Sequence, residues 1–336
     1  WRARHYGTSG GARPGRYRLM VQEPLDVLHG GLQRLERGRV IALHLRGNRR
    51  DRAAVVAGID GSDTALAAAQ WAAEFAARHA SPLTLLHAVP RLDWHFAGAD
   101  APAELERSTN ADEVLAAAET AVAATHPDLA IRTTTVRGAV ATALADASES
   151  ARLVVVGTGA GDHRALGGHA VRIVHRAHCP VVIWRHPVAK RTGKPLPVVV
   201  GIDESDDSTR ALAEAFDIAR ILHAPLTVVH MWEIGAAVGL GYSQGLMDWQ
   251  LLELLQSQQR QRMDELVAPF AHEYRNAHVN KVFQDVSPAK GLTDLSREAQ
   301  LVVVGSHGRG KLADSILGSV SQNLIHHAEC PVLVVR

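Results

Sequence analysis

The sequence predicts an α/β protein built from two tandem doubly wound domains, each with a five-stranded parallel sheet, packed on one another as a pseudo-dimer. Three observations carry that expectation. The chain repeats itself: Pro82-Leu83-Thr84-Leu85-Leu86-His87 answers Pro225-Leu226-Thr227-Val228-Val229-His230, Ala57-Gly58-Ile59-Asp60-Gly61-Ser62 answers Val200-Gly201-Ile202-Asp203-Glu204-Ser205, and Cys179-Pro180-Val181-Val182 answers Cys330-Pro331-Val332-Leu333. Short runs that are nearly all apolar alternate with helical patterns, as parallel strands covered on both faces require. The closing strands of the two copies, 181–184 and 332–335, are apolar edges whose pairing would remove exposed ladder groups.

Taken in order, 54–59 is a strand ended by Asp60-Gly61-Ser62, and 64–79 is an alanine-rich helix with Leu66, Ala69, Ala73 and Phe75 on one face. Strand 83–89, helix 111–125, strand 131–136, helix 140–149, strand 153–157, helix 168–177 and strand 180–184 complete the first copy. The second runs 198–203, 208–222, 226–232, a long helix at 251–274, then 279–285, 289–299, 301–305, 319–327 and 331–335. Right-handed crossovers make each copy doubly wound. The expected boundaries are an Arg/Gly-rich extension at 1–52, a first domain at 53–186, a linker at 187–196 and a second domain at 197–336.

Asp60 to Asp203 and His87 to His230 are both offset by 143, Gly157 to Gly305 by 148, and Gly167 to Gly318 and Cys179 to Cys330 by 151. The second copy therefore has five extra residues in its middle and three more inside its glycine loop.

Charge and composition exclude several functions. The chain of 336 residues has a net charge of +1, but residues 1–52 hold 12 Arg against Glu23, Asp26, Glu36 and Asp51. That leaves 24 basic and 31 acidic residues in 53–336, a net of −7, which argues against a basic nucleic-acid face. The two cysteines have no metal spacing and read as small buried apolar groups in a protein of the reducing cytoplasm. No apolar run reaches the ~18 residues of a membrane span, so no membrane partner is expected. The chain opens on Trp1, and 1–52 reads as a poorly ordered extension, with an arginine-rich interaction tail as the alternative.

The stretch Gly305-Ser306-His307-Gly308-Arg309-Gly310-Lys311-Leu312-Ala313-Asp314-Ser315-Ile316-Leu317-Gly318-Ser319 follows the apolar run 301–304 and precedes the amphipathic segment 320–327. It reads as strand, glycine loop and helix start. Glycines let backbone approach a ligand, and a Gly-Ser pair opening a helix offers amide donors and a hydroxyl to an anionic oxygen. Asp203 follows the first strand and Gly305 the fourth, so both fall at the strand ends where such sheets bind ligands. A carboxylate for sugar or base donors beside a phosphate loop points to a nucleotide. Asp60 and Asp203 as plain helix caps beside Ser62 and Ser205 are the competing reading.

These residues resemble the universal stress protein family, whose ATP-binding members carry Gly-x2-Gly-x9-Gly-Ser/Thr after the fourth strand and an Asp after the first. Gly305, Gly308, Gly318 and Ser319 stand in register with that pattern; the resemblance covers nearly all of 197–336 and, in outline, 53–186. It implies a Rossmann-like fold of the adenine nucleotide alpha hydrolase type, in a tandem form familiar from actinobacteria. It also implies that Ile202 and Asp203 contact adenine and ribose and that Met231, with Val304, lines the base pocket. Gly305, Gly308, Gly318, Ser319 and Val320 would hold ribose and phosphates. The ligand so implied is ATP, with or without magnesium, cyclic AMP being the alternative. The first copy departs from the pattern: Ala160 stands at the second glycine, the loop is shorter, and Gly168 replaces the serine. Asp60, Ala88, Gly157 and Gly167 then form a weak or vestigial site, since one hydrogen bond to a charged group is worth ~1.5–3 kcal/mol.

Rival motifs are weaker. Gly305 to Leu312 falls one residue short of a Walker A loop, Leu312 lacking the metal-binding hydroxyl, and Gly157-Thr158-Gly159-Ala160-Gly161 lacks dinucleotide spacing. His307, Arg309 and Lys311 read as solvated loop cations, with approach to a β- or γ-phosphate as the alternative, and His87 and His230 as histidines satisfied by backbone, with acid–base work as theirs. Glu204, Asp314 and Asp203 form no recognisable catalytic set. The expectation is a binding protein and not an enzyme: a nucleotide-dependent sensor or regulator in stress response. A slow ATPase or phosphotransferase using the same pocket, a cyclic-AMP binder and a nucleotide-independent scaffold are the alternatives. Domain pairing within the chain, a homodimer and an unidentified regulatory protein are the expected protein contacts.

Overall fold

The structure, a computed structural model, describes residues 53–89, 101–158, 165–187, 195–232, 249–274, 278–308 and 317–336. The expected extension at 1–52, most of the linker, the glycine-rich stretch 235–245, Ala160 and the loop residues Arg309, Lys311 and Asp314 lie outside them.

The first half runs β1 (Val55–Gly58), α1 (Asp63–Arg78), β2 (Leu83–Val89), α2 (Ala101–Ala123), β3 (Ile131–Arg137), α3 (Val140–Ser148), β4 (Leu153–Gly157), α4 (Ala165–Arg176) and β5 (Val181–Trp184). The second half runs β6 (Val198–Gly201), α5 (Asp206–Ile221), β7 (Leu226–Met231), α6 (Trp249–Glu273), β8 (Val279–Gln284), α7 (Pro288–Leu295), β9 (Leu301–Gly305), α8 (Ser319–His327) and β10 (Val332–Val335). Their strands form one ten-stranded sheet in the order β3-β2-β1-β4-β5-β10-β9-β6-β7-β8. Every pairing within a half is parallel.

Alternating side chains send the strands into two cores. Val55, Ala57, Val198, Val200, Leu301 and Val303 join Phe75, Phe216 and Phe270 on one face. Val56, Val154, Val199, Val302 and Val304 join Leu144, Ile173, Leu292 and Leu324 on the other. Polar residues blunt the outer strands: 132–135 of β3 and 280–281 of β8 are exposed. Among the described residues no helix is long and apolar enough to cross a membrane.

The strand-to-helix turns start from matching chemistry. Ser62 and Ser205 are the N-caps of α1 and α5, each accepting a hydrogen bond from the third backbone N–H beyond it at 3.1 Å. Gly61 takes φ 86° in the first turn, and Glu204 takes φ 68° at the same place in the second, a conformation that costs a side-chain-bearing residue about 1 kcal/mol or more.

Three helices differ from their expected bounds by three residues or more. α2 starts at Ala101 and not 111, because 101–110 is rich in good helix formers and Pro102 falls in the first turn, where its missing N–H is tolerated. α4 begins at Ala165, three residues early. α7 stops at Leu295 and passes into a short 3-10 turn, Ser296–Glu298. There the buried Ser296 hydroxyl donates to Thr293 O at 2.6 Å and accepts from Glu329 N at 2.9 Å, tightening the turn.

The halves join through β5 and β10, antiparallel, with Leu333 opposite Val182. Reciprocal arginines flank that seam. Arg185 Nη1 donates to Ala328 O at 2.6 Å and Nη2 to Ile325 O at 2.5 Å, while Arg336 Nη1 donates to His175 O and Ala177 O at 2.7 and 2.9 Å. Each arginine follows the closing strand of one half and satisfies carbonyls at the C-terminus of the other half's last helix. On the opposite face Asp217 of α5 accepts from His79 Nε2 at 3.0 Å and Arg220 Nη2 at 2.6 Å, with Arg152 Nη2 at 3.5 Å.

Burial pushes the Asp217 carboxyl up, but the hydrogen bonds and charges of His79 and Arg220 outweigh it and hold it at about 2, against an ordinary 3.8. A depressed carboxylate stabilises the fold above its unfolded pKa and loses that contribution as pH falls through the folded one. This seam is therefore expected to lose about 2 kcal/mol between about pH 4 and pH 2. Urea midpoints measured down that range check it: Asp217→Asn should remove that part of the acid sensitivity, and an unchanged acid slope would contradict it.

Candidate functional site

At the C-terminal ends of the second half's strands a cavity of about 600 Å³ opens between the end of β6, the loop after β9 and the start of α8. Its walls include Ile202, Asp203, Met231, Val304, Gly305, Gly308, Gly318, Ser319 and Val320, the nine positions of this half that the resemblance assigns to a nucleotide. Its apolar lining is Ile202, Val229, Met231, Val304, Leu292 and Leu317. Its polar lining includes Asp203, His307 and the first turn of α8.

Local chemistry places each group. Asp203 Oδ1 accepts from Ser205 N at 3.1 Å and Ser205 Oγ at 2.6 Å, which fixes the carboxylate at the strand end. Oδ2 lies against Gly308, where a methyl group would come within 2.5 Å of it. Gly318 is the N-cap of α8 with φ −61° and ψ 149°, and brings no capping side chain. Its N–H donates to Ser306 O at 2.8 Å, and Ser321 Oγ donates to Gly318 O at 2.9 Å. The first N–H groups of α8 have no partners within the helix, and the helix dipole adds partial positive charge where Ser319 and Val320 meet the cavity.

Gly305 has a different task. A Cβ there would meet Asp207 Cβ at 2.8 Å and its carbonyl carbon at 2.9 Å, and one at Gly157 in the first half would meet Thr64 O at 2.8 Å. Both glycines are needed so that the first helix of each half can cross the end of the fourth strand.

Behind the loop sits a cluster not singled out from sequence. Asp207 Oδ2 accepts from Ser306 Oγ at 2.8 Å, His307 N at 3.1 Å and His307 Nδ1 at 3.0 Å, and Asp207 Oδ1 pairs with Arg210. Burial pushes the Asp207 carboxyl up, yet the bonds from Ser306 and His307 and the Arg210 charge hold it below the ordinary carboxylate value. His307 is thus not the solvated loop cation expected: it is tied to Asp207 because Asp207 occupies the open first turn of α5 directly behind the loop. Other wall residues missed from sequence are Pro288 and Leu292 of α7, Ser208, Leu317, Ser321 and Gln322. Gly291 also escaped notice; a Cβ there would collide with Met231 Sδ at 2.4 Å, so its absence seats the methionine.

His230 is buried and donates from Nδ1 to Ile202 O at 2.9 Å, and His87 does the same to Ile59 O at 2.7 Å, as the backbone-satisfied reading expected. In the first half Asp60 makes the same turn contacts as Asp203, with Ser62 N at 3.0 Å and Ser62 Oγ at 2.7 Å, but is exposed. Ala88 is partly buried against the second core. Gly167, aligned with the N-cap Gly318, lies inside the first turn of α4, because that helix starts at Ala165. The two halves therefore present different helix starts to their loops. Cys179 and Cys330 are buried free thiols, and burial pushes the Cys330 thiol up to about 12.

A family model described as the universal stress protein family matches residues 52–185 and 196–336. Universal stress proteins of Mycolicibacterium smegmatis and Mycobacterium tuberculosis are 34% identical over 293 and 298 residues, in each case spanning 84% of this chain and 96% of the relative. A solved universal stress protein from Archaeoglobus fulgidus superposes with a TM-score of 0.63 at 19% identity, covering 86% of this chain and 99% of that one. That last likeness is one of fold. Two successive matches to one family model, and a third of the residues shared along almost the full length of two relatives, place this chain in the universal stress protein family.

Proposed function

We propose that the second half binds one adenine nucleotide, ATP first among them, and that the chain serves as a nucleotide-dependent regulator in stress response, with the first half binding weakly or not at all. The observation that carries this is the cavity of about 600 Å³ whose lining combines a carboxylate, a helix N-terminus and a set of apolar side chains. A purine fits the apolar side formed by Ile202, Val229, Met231 and Leu292. Asp203 accepts from the ribose hydroxyls, and the amides of the loop and of α8 receive the phosphates. No carboxylate pair or nucleophile with its base lines the described wall, which favours binding over turnover.

Calorimetry of the full chain with ATP, ADP, AMP and cyclic AMP tests the reading. Affinity rising with phosphate number supports a tail held by α8, and cyclic AMP binding tighter than ATP would shift the ligand to the cyclic form. Heat with none of the four would contradict the proposal. Phosphate release from ATP over hours at stoichiometric protein separates a binder from a slow ATPase.

A further inference from the structure

We propose that His307, positioned by Asp207, reads the phosphate tail: its imidazolium donates from Nε2 to a phosphate oxygen, so that binding the tail takes up a proton. The inference rests on the nucleotide reading above and gives that site a pH response.

The geometry assigns the ring nitrogens. Ser306 Oγ spends its hydrogen on Asp207 Oδ2 at 2.8 Å, so the two neighbours of His307 Nδ1, Asp207 Oδ2 at 3.0 Å and Ser306 Oγ at 2.8 Å, are both acceptors toward it. Nδ1 must carry a hydrogen. Nε2, with no hydrogen bond among the described residues, is the nitrogen offered to the cavity that His307 lines. In the neutral ring Nε2 presents a lone pair, which repels a phosphate oxygen; protonated, it donates a charge-assisted bond.

The charged groups around the loop are Asp207 and Arg210 of α5, paired with each other, and Asp203 and Glu204 at the end of β6, where Ser205 Oγ, its hydrogen spent on Asp203 Oδ1, lies 3.3 Å from His307 O. Glu204 pairs with Arg262 of α6 at 3.5 Å. Fastening the loop does not need the imidazole, since Ser306 Oγ and the His307 amide already bond Asp207. The internal repeat makes the contrast: the first half has Thr64, Thr158 and Gly159 where the second has Asp207, Ser306 and His307. The half with the departed glycine pattern lacks both members of the pair.

Isothermal titration of the full chain with ATP and adenosine, at about pH 6 and about pH 8 in buffers of different ionisation enthalpy, reads affinity and proton uptake together. ATP's own titration is common to all variants and cancels in their ratio. The ratio of wild-type to His307→Gln affinity for ATP should be about tenfold or more at the lower pH and shrink at the higher, with proton uptake lost in the variant. Adenosine binding should be the same in both. His307→Lys should hold the low-pH affinity at high pH, an answer independent of how the Gln variant behaves. ATP binding with the same pH profile and proton uptake in wild type, His307→Gln and His307→Lys would overturn the role of His307 alone. No ATP binding by wild type at either pH would instead overturn the nucleotide reading, and this inference with it.

Discussion

Gly305→Ala is expected to destabilise the protein by about 2–3 kcal/mol, and Gly157→Ala by a similar amount. At both positions the new methyl meets the first helix of its own half: Asp207 Cβ and carbonyl carbon and Ser208 N at 2.8–3.0 Å in one half, backbone of Thr64 and Ala65 at 2.8–3.1 Å in the other. Backbone cannot rotate away as a side chain can, so α5 or α1 must shift from its strand. The first glycine of the family pattern is thus held by packing before any ligand is considered, which explains why the first half keeps it while departing elsewhere. Chemical denaturation checks this directly. Two unchanged midpoints would show that the helices have room to move and would remove the packing explanation.

Gly308→Ala should do the reverse, leaving stability within about 1 kcal/mol while lowering ATP affinity by tenfold or more. Among the described residues its methyl would meet one group, Asp203 Oδ2 at 2.5 Å, and the next atom is the Asp203 carboxyl carbon at 3.7 Å. The strain is relieved by swinging the carboxylate, at the expense of the position from which it would meet a ribose. Paired with Gly305→Ala, this variant separates a glycine of the fold from a glycine of the site. Equal loss of stability in both, or full ATP affinity in Gly308→Ala, would contradict the assignment.

The sheet was legible in the sequence because its strands are buried on both faces and therefore nearly all apolar, and because each motif recurs at a fixed offset. The seam was legible too: 181–184 and 332–335 are too apolar to be left as edges, and they pair. Helix ends were less so. Residues 101–110 carry no periodic apolar face, and propensity alone extends α2 through them. At the site, sequence brought out the residues that backbone geometry puts at strand and helix ends. It missed what side chains build across 100 positions, as in the bond from His307 to Asp207. A signal for that pair was present in the repeat, where Asp207 answers Thr64 and His307 answers Gly159. It is an acid and a base present together in one copy and absent from the other, and a search for similarity between copies passes over such a difference.

The most direct test of a single nucleotide site in the second half is equilibrium dialysis of the full chain against labelled ATP, with Gly318→Ala/Ser319→Ala beside it. The account predicts one ATP bound per chain, lost in the double variant, because that change alters the N-cap and removes the hydroxyl at the start of α8. Two ATP per chain, or one retained by the double variant, would contradict it.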